Sequence, residues 1–190
     1  MTGRAARLDI ALMHHPVLNK AGETIGSAVT NLDLHDIARA ARTYGVERYY
    51  VATPYRDQHE LIGEIIGHWQ HGHGASYNPA RKEALSIIRV VDGLDAIVSD
   101  ITDRRGQKPF IVGTSAKSQR PESGFRDLRN YMAEDHSPVL LLFGTAHGLA
   151  PEIMNRADCF LPPIRGKSAY NHLSVRSAVS IILDRLLGVE

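Results

Sequence analysis

The sequence predicts an α/β fold, a mostly parallel sheet with helices on both faces. Short β-like apolar runs alternate with helical patterns along nearly the whole chain, the arrangement that covers a parallel sheet on both sides. The chain has 190 residues, 43% hydrophobic and 23% charged, enough for one ordinary core and too few for two comfortable ones. No internal repeat, low-complexity tract or Pro/Ser-rich linker interrupts the pattern, so a single domain over 1–190 is the simplest account.

The elements follow in order. Residues 8–13 read as a first buried strand that ends at His14-His15-Pro16. Residues 17–30 are loop-like, with Gly22, Gly26 and few periodic apolar positions. Asn31 or Asp33 can cap a helix running through Tyr44, and Gly45 ends it. Residues 48–52 form the next strand. A second helix spans about 57–70, with Leu61, Ile65 and Trp69 on one face, and His71-Gly72-His73-Gly74 breaks it. A short helix at 79–84 precedes a strand at 85–91. The helix at 93–105 turns Leu94, Ile97, Val98 and Ile101 inward. Residues 109–112 are a buried strand opening into Gly113-Thr114-Ser115, and 124–133 are helical. The most apolar strand, 138–143, runs directly into Gly144. A short helix after Pro151 leads to a strand at 159–161 and a last helix at 173–187.

Composition excludes several classes. No apolar run approaches the roughly 20 residues needed to span a bilayer, and no signal peptide or membrane association is expected. The single cysteine, Cys159, cannot form an internal disulfide, which fits a cytoplasmic location. A formal net charge of +1 is not that of a strongly basic nucleic-acid binder, although a local basic face remains open. His68, His71 and His73 lack a second ligand cluster at zinc-finger spacing, so no metal is expected.

Ligands of parallel sheets sit at the carboxyl ends of strands. Thr53-Pro54, the loop from Gly113 through Lys117 and the loop from Gly144 through Leu149 lie there. Their glycines allow close backbone approach to a ligand. None is a phosphate-cradling P-loop, and no Gly-x-Gly-x-x-Gly follows the first strand.

The tail is the most distinctive stretch. It reads Phe143-Gly144-Thr145-Ala146-His147-Gly148-Leu149, then Cys159-Phe160-Leu161-Pro162-Pro163-Ile164-Arg165-Gly166, then Tyr170-Asn171-His172-Leu173-Ser174-Val175-Arg176. This resembles the C-terminal motifs of the SPOUT superfamily of RNA methyltransferases, the α/β-knot enzymes. The stretch from Asn31 through Arg39 to Tyr44-Gly45-Val46 is similar to their first motif. Within the superfamily, the chain looks closest to a bacterial group of S-adenosylmethionine-dependent RNA methyltransferases of unassigned target.

The resemblance implies a C-terminal trefoil knot, a homodimer with the final helix at its interface, and methyl transfer from S-adenosylmethionine to an RNA nucleotide, in tRNA or rRNA. S-adenosylhomocysteine is the product. It implies a cofactor bound by Gly113 and Thr114, by Gly144 and Gly148, by Leu161, Pro163, Ile164 and Gly166, and by Asn171, His172 and Leu173. Ile181, Ile182, Leu186 and Leu187 would supply the dimer's apolar surface. On the acceptor side it points to Arg39, with Asn31 and Asp36 as catalytic candidates. Asp36 and Arg39 also share a helix face as a possible surface ion pair. Arg42, Arg104, Arg105, Arg165 and Lys167 are candidate RNA contacts. Two departures leave the acceptor atom open between ribose oxygen and base nitrogen. His147 stands where the ribose-methylating branch carries an acidic residue, and the Asn31-to-Arg39 spacing is slightly long. The rival readings are a non-catalytic RNA- or ribosome-binding knotted module and a plain nucleotide-binding domain.

Overall fold

The computed structural model describes residues 7–134 and 137–189. In chain order the elements are β1 (Leu8–Met13), β2 (Val17–Leu18), β3 (Thr24–Ile25), α1 (Asn31–Thr43), β4 (Tyr49–Ala52), α2 (Arg56–Gln70), α3 (His73–Tyr77), α4 (Pro79–Leu85), β5 (Ile88–Val91), α5 (Leu94–Arg105), β6 (Phe110–Gly113), α6 (Phe125–Glu134), β7 (Val139–Gly144), α7 (Pro151–Met154), β8 (Cys159–Phe160) and α8 (Val175–Leu187).

Six strands form one sheet in the order β5-β4-β1-β7-β6-β8, and every pairing in it is parallel. The central strand β1 is buried along its whole length, as expected for a sheet covered on both faces. Its side chains alternate between two cores. Leu8, Ile10 and Leu12 join the cluster that includes residues of α1, α2, α4, α6 and α8. Ala11 and Met13 face the other side, with residues of α5 and α7. Among the described residues, no helix is long and apolar enough to cross a membrane.

The structure departs from the expected elements in four places. The segment expected as loop holds a short antiparallel hairpin, β2 with β3, and Val17 is fully buried and bridged to Leu149. Two-residue strands are too short to show alternation, so nothing in the sequence marks them. The cap of α1 is Thr30, whose hydroxyl accepts from the Asp33 amide at 3.1 Å, so Asn31 and Asp33 both lie in the first turn. The inward stripe of α2 is Ile62, Ile65, Ile66 and Trp69 at i, i+3, i+4 and i+7, while Leu61 is 41% exposed. A five-residue helix, α3, forms where His71-Gly72-His73-Gly74 reads as a breaker.

Candidate cofactor and acceptor site

Strands β7, β6 and β8 are neighbours in the sheet, so the loops at their carboxyl ends share one edge. At the end of β6, the Thr114 amide and hydroxyl both donate to the Leu142 carbonyl, at 3.1 and 2.8 Å. The Leu161 amide donates to the Gly113 carbonyl at 3.0 Å. The Asn171 side chain donates to the Ala116 carbonyl at 2.7 Å. Four segments that lie far apart in sequence, at 113–116, 142, 161 and 171, thus meet within one loop cluster.

The loop after β7 folds back on its own strand. A Cβ at Gly144 would lie 2.6 Å from the Leu149 nitrogen and 2.9 Å from the Gly148 carbonyl carbon, so only glycine allows this approach. Gly148 adopts φ +108° with open space on its side-chain side. Strand β2 anchors the loop: His147 N–H donates to the Leu18 carbonyl and Leu18 N–H to the Gly148 carbonyl, each at 2.9 Å. Strand β8 pairs with β6, and residues 121–123 also bond to it. Phe160 N–H donates to the Pro121 carbonyl and Ser123 N–H to the Phe160 carbonyl, both at 2.8 Å. Beyond it, Pro163 and Ile164 are half-buried, and Arg165, Gly166, Lys167, His172 and Leu173 are exposed.

The candidate acceptor side begins where β1 ends. His14 is fully buried, with Nδ1 3.1 Å from the Ser27 hydroxyl, and Ser27 in turn hydrogen-bonds the Thr145 hydroxyl of the loop after β7. Thr145 donates to the Met13 carbonyl at 3.1 Å. The Ser27 hydroxyl also lies 3.4 Å from the His14 carbonyl, which accepts from it. Burial holds the His14 imidazole below its ordinary pKa, and the Asp33 charge opposes this only in part.

Asp33 on α1 is buried, and its two oxygens take Arg176 Nη1 at 2.9 Å and the Thr30 hydroxyl at 2.7 Å. Arg176 Nε also lies 3.4 Å from Asp36 Oδ2. Arg176 stands in the first turn of α8, three residues after Leu173. The start of α1 is therefore joined to the segment expected to hold the cofactor. Among the described residues, no hydrogen bond or ion pair holds the Arg39 guanidinium, which is exposed on α1.

A family model described as SAM-dependent RNA methyltransferase matches residues 7–188. The chain belongs to this family. The family is described by its methyl donor, S-adenosylmethionine, and its acceptor, RNA. A protein of Oleidesulfovibrio alaskensis named tRNA (guanine-N(1)-)-methyltransferase is 47% identical over 181 residues, covering 95% of this chain and 42% of that protein. The chain thus spans under half the length of that relative. An uncharacterized protein of Aquifex aeolicus is 42% identical over 179 residues, covering 94% of this chain and 87% of its own length. The crystal structure of a TrmH/SpoU tRNA modifying enzyme of A. aeolicus superposes with a TM-score of 0.58 at 19% identity, over 97% of this chain and 75% of that one. That likeness is one of fold, the α/β arrangement of the TrmH/SpoU enzyme.

The residues fit the methyl donor of this methyltransferase family. The Phe160 ring crowds Gly113 and the backbone of 148–149 crowds Gly144, Gly148 is open, and the apolar residues Leu161, Pro163 and Ile164 follow directly on β8. Such a surface suits an adenosyl group held by main-chain groups and apolar contact.

The structure corrects several expected roles. Asp36 pairs with Arg176 and not with Arg39, because α8 brings a cation beside it that the helix-face spacing does not reveal. Arg104 is no free RNA contact. Its guanidinium is held by Asp9 at 2.7 Å, Glu47 at 3.0 Å and Asp100 at 3.2 Å, and it bonds the Tyr50 hydroxyl. Arg105 pairs with Glu47, and Arg42 with Glu83. Apart from the i, i+4 pair of Arg104 with Asp100 within α5, these cations fasten elements to one another at sequence separations that no local pattern marks. Ile182 and Leu186 are 4% exposed in the chain's own core, so less of α8 is left for a partner than its composition suggests. Trp69 packs between the His35 and His68 rings under the Arg81 guanidinium. Sequence reading did not single out His14, Ser27, Thr145 and Arg176, which only the fold brings to the candidate site.

Proposed function

We propose that this methyltransferase modifies a tRNA or rRNA nucleotide held against α1, with Arg39 as the group that grips the acceptor. Gly113, Thr114, Gly144, Gly148, the 161–166 segment and 171–173 would hold the donor. When bound, S-adenosylmethionine supplies an electrophilic methyl group, so the protein has only to align the acceptor and take up its proton. The observation that carries this reading is the Asp33–Arg176 ion pair at 2.9 Å, which sets the acceptor helix beside the donor segment while Arg39 stays unpaired. A guanidinium so placed suits a phosphate or a polarised hydroxyl. Asn31, exposed in the same first turn, is a second acceptor contact, and Arg165 and Lys167 in the exposed loop are phosphate contacts.

The tRNA reading is supported by the printed name of the O. alaskensis relative. More than half of that protein lies outside the match, so its guanine N1 chemistry belongs to the whole protein and does not choose the acceptor atom here. Passage of β8 between β6 and residues 121–123 supports the C-terminal knot. Leu32 and Leu173, 59% and 48% exposed, together with half-buried Ile181, support a homodimer that covers α1 and α8. An RNA acceptor supports a cytoplasmic site of action.

The test is single-turnover transfer of labelled methyl to tRNA and rRNA pools, with the methylated nucleoside identified by mass spectrometry. Arg39→Ala should leave donor affinity within about threefold and lower transfer by about two orders of magnitude. Full transfer by that variant removes the acceptor role.

A further inference from the structure

Asp36 precedes Arg39 by three residues on the exposed side of α1, a spacing at which a carboxylate and a guanidinium meet. They are not paired. Asp36 Oδ2 lies 3.4 Å from Arg176 Nε, across the gap between α1 and α8. Arg176 is fixed in place by a second and tighter contact, Nη1 at 2.9 Å from Asp33 Oδ1. Asp33 is 5% exposed, and its other oxygen takes the Thr30 hydroxyl, so it cannot turn away. A planar guanidinium can face two carboxylates through different nitrogens, and Arg176 does so. Asp36, Ser174, Arg176, Ser177, Ser180 and Ile181 line a shallow, open depression there, and Asp36 is exposed.

We propose that Arg176 is a positioning residue that keeps Arg39 available to RNA, by holding Asp36 against α8 and so preventing an Asp36–Arg39 pair. The inference rests on the acceptor role of Arg39. Without Arg176, Asp36 turns to the nearest cation on its own face, and Arg39 enters the reaction already neutralised. Asp36 then acts as an inhibitor of binding, held off in the native protein by a residue that touches no substrate.

Four variants of the full chain separate this from a structural role: Arg176→Gln, Arg176→Gln with Asp36→Asn, Arg176→Gln with Asp33→Asn, and Arg39→Ala. The readouts are methyl transfer at subsaturating RNA and the salt dependence of binding to bulk tRNA and, in a separate arm, rRNA. Arg176→Gln should lower transfer roughly tenfold and reduce the slope of log K against log salt by about one, the signature of one lost phosphate contact. Adding Asp36→Asn should restore both, because Arg39 then has no carboxylate to meet. If only Asp33→Asn restores them, or if neither does, Arg176 merely compensates a buried charge and the inference falls. Should Arg176→Gln fail to fold, Arg176→Lys takes its place: an ammonium keeps Asp33 paired but releases Asp36, and the same rescue is required of it. Arg39→Ala with full transfer overturns the acceptor reading itself. Arg39→Ala without transfer, combined with no rescue by Asp36→Asn, overturns this inference alone.

Discussion

The Asn171 side chain donates to the Ala116 carbonyl at 2.7 Å, tying the segment before α8 to the loop after β6. The bond spans 55 residues of sequence, and it links two pieces of the proposed donor site that no strand pairing joins. Asn171→Ala should weaken S-adenosylmethionine binding roughly fivefold, the scale of one hydrogen bond near 1 kcal/mol. Thermal stability should barely change, because the bond is exposed. Calorimetry with S-adenosylhomocysteine and a melting curve on the same sample decide it. Unchanged affinity would make the tether incidental.

Gly144 offers a sharper contrast. A Cβ there would meet the Leu149 amide nitrogen at 2.6 Å, which is backbone and cannot swing aside. Gly144→Ala should therefore distort the loop itself, costing about 1–3 kcal/mol of stability along with donor affinity. The side chain of a Gly144→Val variant would strike the loop before it reached any ligand space. Urea denaturation reads the first effect and calorimetry the second. Normal values in both would show that the loop yields more easily than its backbone contacts suggest.

Arg104 holds Asp9, which is 1% exposed on β1 and pushed up in pKa by burial despite the nearby guanidinium. Breaking a buried pair by removing one partner costs about 3–5 kcal/mol, since the remaining charge is left uncompensated. Arg104→Met should fall in that range by chemical denaturation. Combining it with Asp9→Asn should recover a large part. RNA affinity of the folded variant should be unaltered. A stable Arg104→Met protein with weakened RNA binding would return this residue to the surface.

His14 makes stability depend on pH. Its pKa is held below the ordinary 6.5 by burial, so the folded chain refuses a proton that the unfolded chain accepts. The stabilisation is fully present above pH 6.5 and is lost as pH falls from there toward the folded value. The slope is at most about 1.4 kcal/mol per pH unit for one proton. His35 is shifted in the same direction and adds to the trend. Urea titrations at pH 7.5 and 5.5 should show a steeper loss for the wild type than for His14→Gln. Parallel losses would mean that His14 is not the group responsible.

Much of this protein was legible in the chain itself. The alternation of apolar runs and helical periods determined the parallel sheet and nearly every element, because local periodicity reports which face of an element is buried. The glycine-bearing strand ends pointed to the loops proposed to hold the donor, and Asn31 with Arg39 to the helix proposed to face the acceptor. The partner of each charge was not legible. Asp36 and Arg39 share a helix face, yet Asp36 pairs with Arg176, 140 residues on in the numbering. Arg104 looks like a surface cation next to Arg105, yet it reaches back to Asp9 on the central strand. The order from His14 through Ser27 to Thr145 joins three separate segments. Sequence spacing constrains neighbours only within a helix or strand. Which charge meets which across elements is set by packing those elements on one sheet, and that is decided only when the chain folds.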